Sequence, residues 1–409
     1  MRVMKRQKPI FGDRPWAAPV LAGALALAGC TAGQVKGHQS GTSGRFPYPV
    51  RVVDKHATYE TKAVFCNLRR LQGQAILFGQ QDATQYGIGW HDEPDRSDVK
   101  SVSGSHPALY GWDVAEMVNA RLRGRPATDS VLVRHRQLVL DAYQRGGLNT
   151  FCWHMDNFVT GRNFYDTTAA VVPAILPGGA RHAEYLRALD LVADYFNNLR
   201  AADGTLVPVI FRPFHEHTGS WFWWGRRHCT AADFVRLWQF TVRYLRDEKH
   251  VHNLLFAYSP DRVPDLAAYL ERYPGDAFVD VLGFDDYGDF DKITTPNKGV
   301  TLLASIVGEA RRRGKIPALT EAGLEKITAP NWYADNLLGQ LKADPQAWRI
   351  AYIMVWRNAH LGHFYAPYPG HNSVPGFLKF QADSLTLFEN DHPRLYAAPA
   401  RRPAQPNRP

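Results

Sequence analysis

Residues 207–216 read VPVIFRPFHE: a near-continuous apolar run, Val207–Phe214, broken by one arginine and ending in His215 and Glu216. Such a stretch is too short and too rich in β-branched and aromatic residues for a buried helix. It fits a parallel strand covered on both faces. Seven similar runs flank it: Ala75–Gln80, Ala108–Asp113, Asn149–His154, Asn253–Ser259, Val279–Asp285, Ile316–Thr320 and Ile350–Trp356. Amphipathic patterns lie between most of them, at Ser130–Arg145, Arg181–Leu199, Ala231–Lys249, Pro264–Arg272, Leu302–Arg313 and Trp332–Lys342. Thr230 reads as the N-cap of the third, with Asp233 three residues on, and Gly314 closes the fifth as a C-terminal glycine. The stretch up to Ser101–His106 lacks helical periodicity, so an irregular first crossover is expected. Eight strands alternating with helices predict an α/β fold, a single (β/α)8 TIM barrel over residues 51–396, with no internal repeat or linker.

The chemistry of this fold gathers at the C-terminal ends of the strands. In the first run these end residues are Gln80, Gln81 and Asp82; in the second, Asp113; in the third, Trp153 and His154; in the fourth, His215 and Glu216. The sixth ends in Asp285, Asp286 and Tyr287, the seventh in Glu321, and the eighth in Trp356 and Arg357. Glu216 and Glu321 come from opposite walls. Two carboxyls about 5–5.5 Å apart are the apparatus of a retaining glycosidase, one attacking the anomeric carbon and the other serving as acid and then base. Repulsion between them raises one pKa and keeps that acid protonated. Arg212 is expected either to stabilise the Glu321 charge or to form a barrel-core salt bridge. The Asp285–Asp286 pair is read as bonding to loop backbone. Beyond Glu216 the chain runs HTGSWFWWG, with three Trp and a Phe in four positions; Trp221 and Trp224 are assigned to sugar faces, Phe222 and Trp223 to packing.

Composition narrows the alternatives. The 409 residues are 45% hydrophobic and 21% charged, which excludes a disordered chain. The formal charge of +9 is concentrated outside the body. Residues 1–30 carry a net +4 and the tail from Ala397 a net +3, leaving +2 for the rest, so no nucleic-acid partner is implied. The triplet Arg311–Arg313 is a solvated helix end. No HExxH spacing, CxxC pair or phosphate loop occurs, so neither a metal nor another cofactor is expected. A monomer is expected. At most one disulfide is open to Cys66, Cys152 and Cys229.

The stretches Phe211–Glu216 and Gly219–Gly225 resemble glycoside hydrolase family 26, the β-mannanases. So do Tyr110–Asp113, Trp153-His154, Asn253–Pro260, Val281–Tyr287, Leu319–Gly323 and Val355–Asn358. The likeness runs from about Ala75 to Tyr396. It implies cleavage of β-1,4-mannosidic bonds in mannan, galactomannan, glucomannan or manno-oligosaccharides, with Glu216 as acid/base and Glu321 as nucleophile. It further implies that Tyr287 orients the nucleophile and that His215 bonds to the nucleophile or to the region of the sugar 2-OH. His154, Trp221, Trp356 and Arg357 match sugar-contacting positions. Asp113, in one of the matching motifs, is placed with the substrate-binding set. Related β-glycans, β-1,3-xylan or mixed-linkage β-glucan, are the alternative substrates, and a non-catalytic glycan-binding lipoprotein is the alternative class.

The N-terminus reads as a processing segment. A basic stretch precedes an apolar run from Ala17 to Ala28, which ends in Leu27-Ala28-Gly29-Cys30 and resembles a bacterial lipobox. Residues 1–29 are read as the signal peptide and Cys30 as the lipidated residue. Thr31 at the next position favours the outer membrane. Residues 30–50 would form a tether and 397–409 a disordered tail.

Overall fold

The computed structural model describes residues 46–126 and 128–400; Cys30, the signal peptide and residues 401–409 lie outside them. Eight parallel strands close into a barrel: β1 (Ile76–Gln81), β2 (Leu109–Asp113), β3 (Leu148–Cys152), β4 (Val209–Arg212), β5 (Leu254–Tyr258), β6 (Val281–Asp286), β7 (Ile316–Ala322) and β8 (Tyr352–Val355). Closure is made by β8 against β1, with Leu77 beside Tyr352 and Gln80 beside Val355. All eight expected strands are present, because each is wrapped by barrel interior on one side and helices on the other. A further short strand, Thr386–Leu387, pairs in parallel with the start of β1.

The helices follow their end signals. Ser130–Gln144 and His182–Asn197 lie where periodicity put them. Ala231–Arg243 begins at Thr230, whose hydroxyl accepts from Asp233 N at 3.0 Å, and continues as a π-helical turn, Tyr244–Glu248. Lys298–Arg313 starts four residues earlier than its apolar stripe, because the Asn297 side chain caps Val300 N at 3.0 Å. Its last turn carries Arg311 and Arg312 exposed, as expected of a solvated helix end, with Arg312 and Arg313 both paired to Glu309. The first crossover carries a short hairpin (Tyr86-Gly87 with Trp90-His91) and a helix, Asp98–Ser103, whose N-cap Ser97 accepts from Lys100 N. Periodicity was too brief to reveal that helix. Tyr59–Leu71, Ala115–Leu122, Val171–Ile175 and Val374–Gln381 are helices beyond those expected.

The segments at 46–50 and 397–400 make contacts of their own. Phe46 and Tyr48 pack edge to face at 5.0 Å, and the Tyr48 hydroxyl donates to Pro399 O at 3.0 Å. Asn67 holds Ala397 O at 2.9 Å. Tyr48 thus bonds to the segment 397–400, and Asn67 bonds to it as well. Cys66, Cys152 and Cys229 are free thiols. Much of the aromatic content is core: Trp112, Trp153, Trp223, Trp224, Trp238 and Trp332 are fully buried.

Gly314 ends its helix at φ +71° with open space around the missing Cβ, so only backbone conformation disfavours a side chain there. Gly314→Ala is expected to cost about 1 kcal/mol in urea unfolding with the slope unchanged.

Candidate active site

Arg212, at the last position of β4, is 1% exposed. Its Nη2 donates to Glu321 Oε1 and its Nη1 to Asp285 Oδ2 at 3.0 Å and Ser259 Oγ at 3.0 Å. Arg212 thus forms the barrel-core salt bridge, with Glu321 as well as with Asp285. The two carboxylates keep the guanidinium charged despite the cost of its burial. The strand carrying Glu321 is irregular at this point. On β6, Phe284 and Asp285 face Leu319 and Glu321; on β8, Ile353 and Val355 face Leu319 and Ala322. Thr320 is thus an extra residue in β7. The bulge turns Glu321 towards the barrel mouth while Thr320 Oγ1 holds Asp285 Oδ1 at 2.5 Å. The other Glu321 oxygen accepts from the Tyr287 hydroxyl at 2.7 Å.

Glu216 lies one turn beyond β4 with φ +52°, a left-handed conformation uncommon for a glutamate. Its N–H bonds to Ser259 O at 2.8 Å and its Oε2 accepts from Trp221 Nε1 at 2.7 Å. Burial pushes its carboxyl well above the ordinary range, and the negative charge of Glu321 is the next largest cause. One glutamate is thus held in an ion pair, while the surroundings of the other favour its protonated form.

Around this pair, Trp221 is 40% exposed and presents its ring beside Glu216. Trp224 does not share that role. It is fully buried, its Nε1 bonds to His215 O at 2.9 Å, and its ring stacks on Phe222 at 4.6 Å, leaving no face for a sugar. Phe222 and Trp223 are buried, as assigned. His154 sits 4.6 Å ring to ring from His215 and 6.0 Å from the half-buried Trp356. Asp113 lies beside His154, its side chain 19% exposed against 11% for His154. Its Oδ2 bonds to His154 Nδ1 at 2.7 Å and its Oδ1 to Ala115 N at 2.9 Å, so it positions the imidazole. Burial raises the Asp113 carboxyl, but these attractions, led by His154, leave it below the usual value. The His215 ring is buried with Nδ1 unpartnered; burial, with His154 and Arg212 adding to it, holds the imidazole neutral. Asp286 Oδ1 caps the N–H groups of Gly288 and Asp289 at 2.9 Å each, the loop role expected for it. Asp285, by contrast, belongs to Arg212.

Arg357 is aimed by a relay. Its Nη1 donates to the Tyr86 hydroxyl at 2.9 Å, and that hydroxyl donates to Asp82 Oδ2 at 2.6 Å. Burial and the neighbouring Glu116 carry Asp82 up to about 7. Tyr86 was not legible, because it lies on the short hairpin beyond β1. Asp113, Cys152 and His154 place potential metal-ligand atoms within 4.8 Å of one another. They are already committed, however: Asp113 to His154, and the Cys152 thiol, raised far above its usual pKa by burial, to Trp112 O at 3.5 Å.

The family model for glycosyl hydrolase family 26 matches residues 53–352. The chain belongs to this family. A mannan endo-1,4-β-mannosidase of Bifidobacterium adolescentis is 39% identical over 282 residues, covering 67% of this chain; the chain spans only 28% of that relative's length. One of Bacillus subtilis is 28% identical over 61% of this chain and 72% of its own. Among solved structures, a family 26 β-mannanase from Bacteroides ovatus superposes with a TM-score of 0.78 at 39% identity, covering 84% of this chain and 99% of that one. A modular endo-β-1,4-mannanase from Cellulomonas fimi gives 0.80 at 38%, covering 88% and 82%. Within this family 26 barrel, Arg212 carries the heaviest electrostatic duty. Arg212→Met would leave Asp285 and Glu321 buried without their cation, and a loss of roughly 3–5 kcal/mol in urea unfolding is expected.

Proposed function

We propose that the protein hydrolyses β-1,4-mannosidic linkages of mannan, galactomannan, glucomannan or manno-oligosaccharides with retention of configuration. What supports this reading above all is the unequal pair of glutamates: Glu321 ion-paired to Arg212, Glu216 protonated in its field. Glu321 attacks C1 while the C1–O bond breaks and Glu216 gives its proton to the departing oxygen. Glu216 then takes a proton from water, the new hydroxyl attacks C1, and the ester to Glu321 breaks. The Tyr287 hydroxyl holds the attacking carboxylate in position. Trp221, His154, Trp356 and Arg357 stand around the cleavage point as sugar contacts, and His215 offers a neutral imidazole there.

Glu216→Ala and Glu321→Ala are each expected to lower mannan turnover at least about a thousandfold with the thermal melt retained. Full activity in either purified variant would refute the assignment. The anomer released first, followed by proton NMR, is expected to be β; a first-formed α product would refute retention. Because Glu216 works protonated and burial raises its pKa, activity falls as pH rises through that raised value. The alkaline limb of kcat/KM is expected well above the ordinary glutamate range. A panel of mannan, β-1,3-xylan and mixed-linkage β-glucan tests the substrate.

We infer from Leu27-Ala28-Gly29-Cys30 that the chain is exported and lipid-anchored at Cys30. Cys30→Ser expressed in a Gram-negative host is expected to move the protein from the membrane to the soluble fraction. An unchanged distribution would refute the anchor.

A further inference from the structure

Asp261 follows β5 by three residues and has no part in the chemistry above. Its carboxyl is nevertheless tied to the turn that carries the acid. Thr218, two residues beyond Glu216, donates its hydroxyl to Asp261 Oδ1 and reaches Asp261 O at 3.3 Å. The Gly219 N–H closes the same turn on Glu216 O at 3.0 Å and also acts on the Asp261 carboxyl. On the other side, Glu216 N is anchored to Ser259 O. The left-handed turn at Glu216 is therefore gripped at both ends by the segment leaving β5. A non-glycine residue held in such a conformation costs about 1–3 kcal/mol and persists only where its surroundings enforce it.

The charges facing Glu216 come from three elements: Glu321 on β7, Asp285 on β6 and Asp261 after β5, with the Trp221 N–H opposing them from its own loop. The phenols of Tyr165, Tyr287 and Tyr365 also lie within its field. Asp261 itself faces Thr218, Gly219 N–H and Arg262, which draw its carboxyl down, while burial carries it up to about 6. Above that pH it is an anion. Unlike Asp285, it has no buried arginine bonded to it to cancel that charge.

We propose that Asp261 is a positioning residue for the acid/base: its hydrogen bonds fix the turn that aims Glu216, and its negative charge favours the protonated acid. This rests on the glycosidase reading of the site. Asp261→Asn keeps an acceptor for Thr218 and removes the charge; Asp261→Ala removes both. The full chain and both variants are compared by kcat/KM across pH on mannohexaose and on dinitrophenyl β-mannobioside, whose leaving group departs without a proton. Removing an anion lowers the pKa of Glu216, so Asp261→Asn is expected to move the alkaline limb on mannohexaose down by about half a pH unit, with little change below pH 6. Asp261→Ala is expected to lose about tenfold or more on mannohexaose and less than about twofold on the dinitrophenyl glycoside. Coincident alkaline limbs for Asp261→Asn and wild type would overturn the charge role. Equal losses of Asp261→Ala on both substrates would reduce the residue to scaffold. Should the alanine variant fail to fold, the pH profile of the asparagine variant decides. A wild-type chain inactive on both substrates would overturn the reading of the whole site instead.

Discussion

One buried guanidinium organises this barrel mouth. Arg212 binds Asp285 on β6 and Glu321 on β7 from its place on β4, so three strands are cross-linked electrostatically through the barrel interior. Taking a cation and two anions out of water is costly, and the attraction repays it only when the geometry is good and the other lone pairs are satisfied. Here Ser259 and Thr320 add hydrogen bonds on the β5 and β7 sides and Tyr287 bonds to the remaining oxygen of Glu321, while the buried Arg212 Nε has no partner among the described residues. The arrangement leaves Glu321 unable to swing away. A carboxylate that must reach one carbon atom gains from such immobility.

The same cluster gives two identical side chains opposite electrostatic surroundings. Glu321 has its countercharge at contact distance. Glu216 has none: its nearest donor is the neutral indole of Trp221, and the charges around it are negative. In the proposed mechanism, environment and not residue type separates acid from nucleophile. The aromatic loop after Glu216 divides its labour in a similar way. Trp221 remains at the surface beside the acid, while Trp223 and Trp224 are consumed in anchoring the loop to Met155 O and His215 O.

Legibility followed the range of the interactions concerned. The eight strands could be read because a strand buried on both faces is apolar without interruption, whatever its neighbours are. Thr230, Asp233 and Gly314 could be read because capping is settled within four residues. Short helices such as Asp98–Ser103 offered too little periodicity, and Val374–Gln381 gained its burial from distant packing. The strand-end rule located most of the site; applied to the fifth run as well, it would have led to Asp261, three residues past Tyr258. Tyr86 carried no such signal, since nothing local distinguishes a tyrosine on a surface hairpin from one that orients Arg357. Trp224 looked like a sugar platform because hydrophobicity alone does not say which ring in a cluster faces outward.

By itself the sequence determined the class of fold and the residue types, two glutamates among them, that stand at the strand ends, since these follow from apolar patterning and from which side chains end the strands. Only the tertiary structure decided the β7 bulge at Glu321, the pairing of Arg212 with two carboxylates at once, the burial of Trp224, the bond between Asp113 and His154, and the bond of Asp261 to the turn at Glu216. Apart from the burial of Trp224, whose cited contacts are to His215 and Phe222 nearby, these depend on contacts between residues tens to more than a hundred positions apart, or on register across neighbouring strands. Hydrogen bonds and ion pairs of that kind come into being only when the barrel closes.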